Sequence, residues 1–387
     1  MFQIISSTKV GSIPFITIDN YEKYLSNTTL FLFSYRDLYE AQQFILQYGK
    51  GYKKYFMLPD QSNHILTMSL VEKVNDNCNK LSKAEFNITT RGGYRPLTAL
   101  ETITFAENAG FMKMEAFCHS PMEKRKNSKK LKIQRQNIVN QLEQMMKIKN
   151  EKELKVEIIG AMNLTGTKDD VELLQKLKSF GIKEIVFDVE YIDDQKNILE
   201  YVQFMKNNCD LLNDMIVHVK LYSFDLEQLI QCSRMNLTVW TNAINEFTLH
   251  GQALIFPLTL NEMKEEGKEN KKEMSIDLYD KKYKEIINEN CMENCNCFSC
   301  KTNQSRAYIH HLLLCHELTG TTLLSLHNFH HIHQFITMIN QLLDEKNEEK
   351  LNEFVAMYKE LLPSPDFQKV KLYIDRRSGG KDDDDDF

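Results

Sequence analysis

Four cysteines, Cys291, Cys295, Cys297 and Cys300, fall within ten residues, and seven of the eleven histidines lie between His310 and His333. Thiolates and neutral imidazoles gathered this closely are metal-ligand material, because soft and borderline cations prefer them. The Cys295-x-Cys297-x2-Cys300 step puts three thiols on one tight loop, and His327, read at a helix start, offers a fourth donor. Cys295, Cys297, Cys300 and His327 are thus predicted to form a Cys3His tetrahedron around one structural zinc ion. Such a closed set leaves no position for water, so it staples the fold and is no Lewis acid. Spacing alone leaves two other assignments open: an all-cysteine set of four using Cys291, or free thiols with His327 as a cap residue. His330, His331 and His333 read as a helix face, and Cys315 as a buried hydrophobe.

Helices must hold these donors. Ser305 is the N-cap signal of a helix through Tyr308 and Leu313 with Gly320 as its stop, and Asn328 is placed to cap the next one. Upstream, Val156 to Met162, Ile185 to Tyr191, Ile216 to Tyr222 and Leu237 to Thr241 are short β-branched apolar runs. They suit strands buried on both faces of a parallel sheet. Between them, Val171 to Phe180, Asn197 to Asn208 and Asp225 to Arg234 have helical apolar spacing, with Asp225 as one N-cap and Asp169 or Asp170 as another. Alternating strands and helices at this length predict an α/β fold and favour a TIM (β/α)8 barrel over a doubly wound sheet, which periodicity alone does not separate. The expected division is 1–260 for the main part of the barrel, 261–290 for a charged solvated insertion, 291–362 for the zinc-binding subdomain and closing helices, and 363–387 for an acidic disordered tail.

The 387 residues carry 48 Lys and Arg against 54 Asp and Glu, a net charge of −6. So mild a balance neither requires nor forbids a nucleic-acid partner, and local patches decide. Lys124, Arg125, Lys126, Lys129, Lys130, Lys132 and Arg135 are seven basic residues in twelve, a strip able to neutralise an RNA backbone. No aromatic residue interrupts it, so base stacking there is not indicated. No apolar run reaches the ~18–20 residues of a membrane span and no leader pattern opens the chain, so neither secretion nor membrane insertion is expected. Glycine is scarce at 14 residues, and neither G-x-G-x-x-G nor G-x-x-x-x-G-K-[ST] occurs, which removes support for nucleotide-fuelled chemistry. Nine cysteines without a leader argue against a disulfide framework.

The cysteine loop, followed by Ser305-Arg306-Ala307-Tyr308-Ile309-His310-His311-Leu312-Leu313 and by Leu323-Leu324-Ser325-Leu326-His327-Asn328, closely resembles the zinc-binding end of the tRNA-guanine transglycosylases. These exchange guanine at the tRNA wobble position for queuine or its precursor. The 26 residues from Lys301 to Leu326 exceed the family spacing by one, a departure the loop before Ser305 absorbs. Thr8 to Pro14, Gly93 to Thr98, Glu157 to Gly160 and Gly251 to Phe256 resemble further runs of the family, above all of its non-catalytic eukaryotic branch. The likeness extends from Thr8 to Leu351 but is dense only around the cysteines. The family fold, a TIM barrel carrying a zinc subdomain, agrees with the strand and helix pattern.

Base exchange needs a carboxylate nucleophile at the sugar carbon and a second carboxylate for proton transfer. Counted back from Ala253, the family's nucleophile position is Trp240, or Thr241 with a one-residue slip. The run bearing the second acid has no counterpart between Tyr55 and Leu97. The glycine runs of the base pocket correspond to Ile185 to Asp188 and Val219 to Tyr222, which fill space. Asp188 and Glu190, where barrel enzymes place acids, read as a loop-facing pair. The resemblance implies no catalytic residue, and a non-enzymatic subunit that scaffolds the family's catalytic queuine tRNA-ribosyltransferase subunit in a heterodimer and helps hold tRNA, with no DNA partner. It implies a cytoplasmic protein that reaches the mitochondrial outer membrane surface only through the complex. Phe329 and Phe335, with Tyr308 nearby, are the candidate interface anchors. The alternatives are a divergent active transglycosylase and a zinc-stabilised RNA-binding protein without such a partner.

Overall fold

The structure is a computed structural model that describes residues 1–8, 13, 15–25, 31–59, 64–68, 80–82, 85–90, 93–119, 128–189, 197–260 and 273–361. Its strands are β1 (Gln3–Ser7), β2 (Phe31–Ser34), β3 (Ile65–Thr67), β4 (Lys80–Leu81), β5 (Phe86–Thr90), β6 (Gly93–Leu97) and β7 (Lys113–Glu115). They continue with β8 (Glu157–Leu164), β9 (Glu184–Val189), β10 (Ile216–Lys220), β11 (Thr238–Thr241), β12 (Gln252–Leu254) and β13 (Ser275–Asp277). Eight parallel strands close a barrel in the order β1-β11-β10-β9-β8-β7-β3-β2, the favoured of the two arrangements that the alternation of strand and helix allows. β4, β5 and β6 form an antiparallel sheet of their own, and β12 pairs antiparallel with β13.

The chain divides into two compact units. Met1–Ala243 with Ile336–Val355 contains the barrel, and Ile244–Phe335 with the chain from Ala356 on contains the cysteine loop. Among the described residues no helix is long and apolar enough to cross a membrane.

The four strands read from apolar runs are β8 to β11, and the intervening helices are Lys168–Ser179, Ile198–Asn208 and Leu226–Arg234. Asp225 caps the last as expected, accepting from the backbone N–H groups of Glu227 (2.9 Å) and Gln228 (3.2 Å). Neither Asp169 nor Asp170 caps the first. Thr167 is its N-cap, and Asp170 reaches back from inside the helix to accept the backbone N–H groups of Thr165 (2.7 Å) and Gly166 (2.9 Å). Residues 261–272 of the charged segment and the tail 363–387 lie outside the described residues. Of the remainder, 273–283 is no solvated loop, since β13 pairs with β12 and Ile276, Leu278 and Tyr283 are buried, whereas 284–290 is largely exposed as expected.

The barrel interior is unusually polar. Glu115 on β7 and Lys220 on β10 are both fully buried and lie 2.5 Å apart, although their strands are not neighbours, so the pair crosses the lumen. Nearer the N-terminal ends of the strands, Glu184 bonds Lys113 and lies 3.1 Å from His218 Nε2, while His218 Nδ1 accepts from Trp240 Nε1 at 3.1 Å. Burial holds the His218 pKa below its ordinary value, which matches a neutral ring with its proton on Nε2.

His64, just before β3, is also held neutral. Its Nδ1 accepts the Phe31 N–H at 3.0 Å and its ring packs between Phe33 and Tyr52, so burial, with Lys53 nearby, pushes its pKa down to about 3. The unfolded chain binds this proton near pH 6.5 and the folded chain does not, so stability is lost as pH falls from about 6.5 towards 3, by about 1.4 kcal/mol per pH unit for this group. Asparagine can accept the same N–H without titrating. In urea denaturation between pH 6 and 4, His64→Asn should therefore lose stability less steeply than the parent by about that slope; an unchanged slope would rule out a neutral buried His64.

Candidate metal centre and barrel mouth

Three local devices shape the cysteine loop. Asn294 adopts a left-handed conformation (φ 59°), turning the chain between Cys291 and Cys295. Cys297 caps the short helix Phe298–Lys301, its Sγ accepting the Cys300 N–H at 3.3 Å, so both thiols face one point. Asn290 then donates to the Cys300 carbonyl at 3.0 Å, and Arg306 Nε to the Asn290 carbonyl at 2.9 Å.

His327 meets this loop from the helix Leu318–Asp344. Its Nδ1 lies 3.7, 3.5 and 3.6 Å from the sulfurs of Cys295, Cys297 and Cys300, and all four donor atoms lie within 4.8 Å of one another. A tetrahedron with metal–sulfur bonds of about 2.3 Å and a metal–nitrogen bond of about 2.0–2.1 Å has a sulfur–nitrogen edge of about 3.6 Å. The spacing fits one tetrahedral ion. His327 Nε2 donates to the Leu254 carbonyl at 2.8 Å, which fixes the ring and leaves Nδ1 free to ligate. Cys291 stands outside the group: fully buried beside Cys300, its thiol is pushed well above its usual pKa by a hydrogen bond to Cys300 and by burial. The set brought together is the Cys3His one, and not the all-cysteine alternative.

Without an ion the charges settle inside the group. Hydrogen bonds from Cys291, Cys295 and Cys297 hold Cys300 far below the usual thiol range, while Cys297 is pushed up by bonding to Cys295 and Cys300. Burial disfavours a charged His327, but bonding to Cys295 and Cys300 outweighs it and raises the pKa to about 10. An ion must therefore displace protons from both nitrogen and sulfur.

Several sequence assignments change here. His327 and Asn328 stand inside one long helix and not at its start. Asn328 caps nothing; it is buried, accepts the Leu254 N–H (2.9 Å) and donates to the Gln252 carbonyl (3.0 Å) and Thr248 Oγ1 (3.2 Å). The pair thus fastens β12 by both polar groups of Leu254. Ser305 is the N-cap of Arg306–Leu314 as expected, but Gly320 is no stop. It lies inside the next helix, where a Cβ would come within 2.9 Å of the Leu312 Cβ, so its role is close helix packing. Cys315 is exposed, not buried. Phe329 and Phe335, the candidate interface anchors, are buried in their own chain, with Phe335 edge-on to Phe256 at 5.6 Å, and offer a partner nothing. His331 is buried and bonds the Phe256 carbonyl through Nε2 at 2.9 Å, so it is a core residue and no ligand.

In the basic strip, Lys124, Arg125 and Lys126, and the side chain of Lys130, lie outside the described residues. Lys129 and Lys132 are exposed on the helix Ser128–Glu151. Arg135 is spent within the chain, its guanidinium bonding Asp169 (2.7 Å), Asp170 (2.6 Å) and Thr165 (2.7 Å), and it leaves the strip.

Barrel enzymes work at the C-terminal ends of their strands. There Trp240 and Thr241 are buried on β11, and Lys220 reaches over the Trp240 ring at 5.7 Å. Glu115, a residue the sequence did not single out, accepts from Lys220 on one oxygen and from the Thr67 hydroxyl and the Met68 N–H (2.9 Å) on the other. Asp188 accepts from Tyr222 Oη at 2.6 Å and from the Val189 N–H at 2.8 Å; Glu190 lies outside the described residues. Burial alone would discharge Lys220, but Glu115 and Asp188 keep its pKa above the ordinary value.

Comparison with known proteins agrees with this geometry. The family described as queuine tRNA-ribosyltransferase (TGT) matches residues 4–361. A stretch of 80 residues is 41% identical to the human queuine tRNA-ribosyltransferase accessory subunit 2, covering 21% of this chain and 19% of that protein. The accessory subunit 2 of Ixodes scapularis is 46% identical over 61 residues, 16% of this chain and 15% of the relative. The queuine tRNA-ribosyltransferase of Thiobacillus denitrificans is 35% identical over 66 residues, 17% of each. The matched stretches thus span about a fifth of the relatives' length.

Cys300→Ser should abolish stoichiometric metal binding, read by elemental analysis, and expose amides of β12 and the helix Arg306–Leu314 to hydrogen exchange, leaving β8 to β11 protected; full metal retention would remove Cys300 from the site. Lys220→Met takes the Lys220 cation from the buried Glu115 carboxylate, and should cost roughly 3–5 kcal/mol in denaturant unfolding, part of which Lys220→Met with Glu115→Gln restores.

Proposed function

The chain belongs to the queuine tRNA-ribosyltransferase family, and from that premise we propose that it is a non-catalytic subunit. It holds one structural zinc ion, assembles with a catalytic relative and helps hold the tRNA on which that relative exchanges guanine for queuine. One observation carries this: each oxygen of Glu115 and Asp188, acids that the described residues place at the barrel mouth, already accepts a hydrogen bond from a neighbour in the chain. Hydrogen bonds donated to a carboxylate lower its nucleophilicity, which disfavours attack on a sugar carbon. Counted back from Ala253, the position of the family's nucleophile falls on Trp240 or Thr241, both buried and neither a carboxylate, with the Trp240 N–H given to His218. The accessory-subunit names of the human and tick relatives point the same way.

Zinc is the ion favoured by three thiolates and one imidazole at tetrahedral spacing. Cys295, Cys297, Cys300 and His327 fill its four positions, so the ion supplies folding energy and offers substrate no open site. The partner surface shifts from the buried phenylalanines to the outward stripe of the helix Arg306–Leu314 and its successor, where Tyr308, Leu314 and Leu318 are exposed. Lys129 and Lys132 are the tRNA-backbone contacts that stand clear on the barrel unit.

The test is co-expression with a catalytic relative, followed by exchange of labelled guanine into tRNA. The chain alone should give no exchange and the pair should. Tyr308→Asp with Leu318→Asp should strip the chain from its partner at full metal content, and Lys129→Glu with Lys132→Glu should weaken tRNA retention and flatten its salt dependence. Exchange by the chain alone, with a trapped covalent RNA adduct, would overturn the reading.

A further inference from the structure

A second surface of the barrel unit presents rings where a soluble helix ordinarily buries them. The helix Gln42–Tyr48 buries only Ile45 and turns Phe44 (61% exposed) and Tyr48 (45% exposed) outward, one turn apart on the same face. The next helix, Gly51–Tyr55, buries only Tyr52. Tyr55 meets Tyr48 edge-on at 6.0 Å, Lys50 Nζ lies 5.7 Å from the centre of the Tyr48 ring, and Lys54 is exposed beyond it. From Gln42 to Pro59 the sequence holds three lysines and no acid, in a chain whose acids outnumber its bases.

The surface rests on a firm base. Tyr52 stacks on Phe111 with ring centres 3.8 Å apart and planes at 6°. Gly51, with φ at +80°, is seated so closely on the helix Ala99–Ala109 that a Cβ would lie 3.0 Å from the Ala109 carbonyl oxygen. Exposed rings on a rigid support, edged by cations, match the chemistry that binds unpaired nucleic acid: bases stack on the rings and phosphates pair with the lysines. A protein partner would also use the rings, but the absence of any acid across the segment favours a polyanion. The family acts on tRNA, so RNA is the polyanion at hand.

We propose that Phe44 and Tyr48, flanked by Lys50 and Lys54, form a stacking platform for an unpaired RNA segment, separate from the basic helix Ser128–Glu151. The platform belongs to this chain alone and does not depend on the subunit role argued above. It also supplies the stacking element that the strip from Lys124 to Arg135 lacks.

The measurement is fluorescence anisotropy of a short labelled oligouridylate, and separately of an RNA duplex, titrated with the full chain over a range of salt. The parent should bind the single strand in preference to the duplex. Phe44→Ala with Tyr48→Ala should weaken single-strand binding roughly tenfold or more while keeping the salt slope. Lys50→Glu with Lys54→Glu should weaken binding and flatten that slope by about 1.4, and Tyr48→Phe should bind as the parent does. The lysine pair keeps the test decisive should the ring pair fold poorly. Unchanged oligouridylate binding in the lysine variant, or a parent preference for duplex, overturns the platform. So does a ring variant that retains RNA but no longer co-purifies with the catalytic relative, which would mark a protein interface; co-purification of the parent tests the subunit role independently.

Discussion

One imidazole ring is bound on two sides at once. His327 turns Nδ1 to three sulfurs and gives Nε2–H to the Leu254 carbonyl, so strand β12, the helix Leu318–Asp344 and the cysteine loop meet at a single planar group. Asn328, the next residue, takes the Leu254 N–H, leaving that strand residue with both backbone polar groups satisfied by side chains of one helix. The apolar core around it is small and counts Cys291, Cys297 and Cys300 among its own members. Sulfur here is packing material and candidate ligand together, so an ion bound by this group would couple its affinity to the order of the region.

The barrel unit solves a different problem. Its lumen encloses two layers of charge, Lys113–Glu184–His218 and Thr67–Glu115–Lys220, with the Trp240 indole between them. Buried ion pairs of this kind add little to stability against an aliphatic filling, yet breaking one is costly. Such a centre resists stepwise change, since each carboxylate is held by partners from other strands. At the mouth, Glu115 and Asp188 each accept hydrogen bonds from the chain's own groups.

The same polar interior explains what the sequence disclosed and what it hid. β8 to β11 were legible because their runs are long or β-branched, and the helices between them carry clear apolar spacing. β1, β3 and β7 hold no more than two consecutive apolar residues and end in Ser7, Thr67 and Glu115, so no continuous apolar run marked them, while the run Leu30 to Phe33 around β2 has no β-branched residue and was passed over. The metal ligands were legible because tight Cys spacing is local. The placement of Phe329 and Phe335 was not, since an aromatic on a helix reads alike whether it meets its own core or a partner. Gly320 misled for a related reason: a glycine that ends a helix and one that lets two helices touch are the same letter. Glu115 could have been found only by pairing it with Lys220, 105 residues away.

Trp240 is the chain's single tryptophan, and it sits at the centre of the barrel with its N–H held by His218. Indole emission in this protein therefore has one origin, and every change in it reports on the lumen of the eight-stranded ring. Loss of the ion from the cysteine loop would pass unseen in that light unless the disturbance reached the barrel. The molecule carries its own optical means of asking whether its two halves melt together or apart.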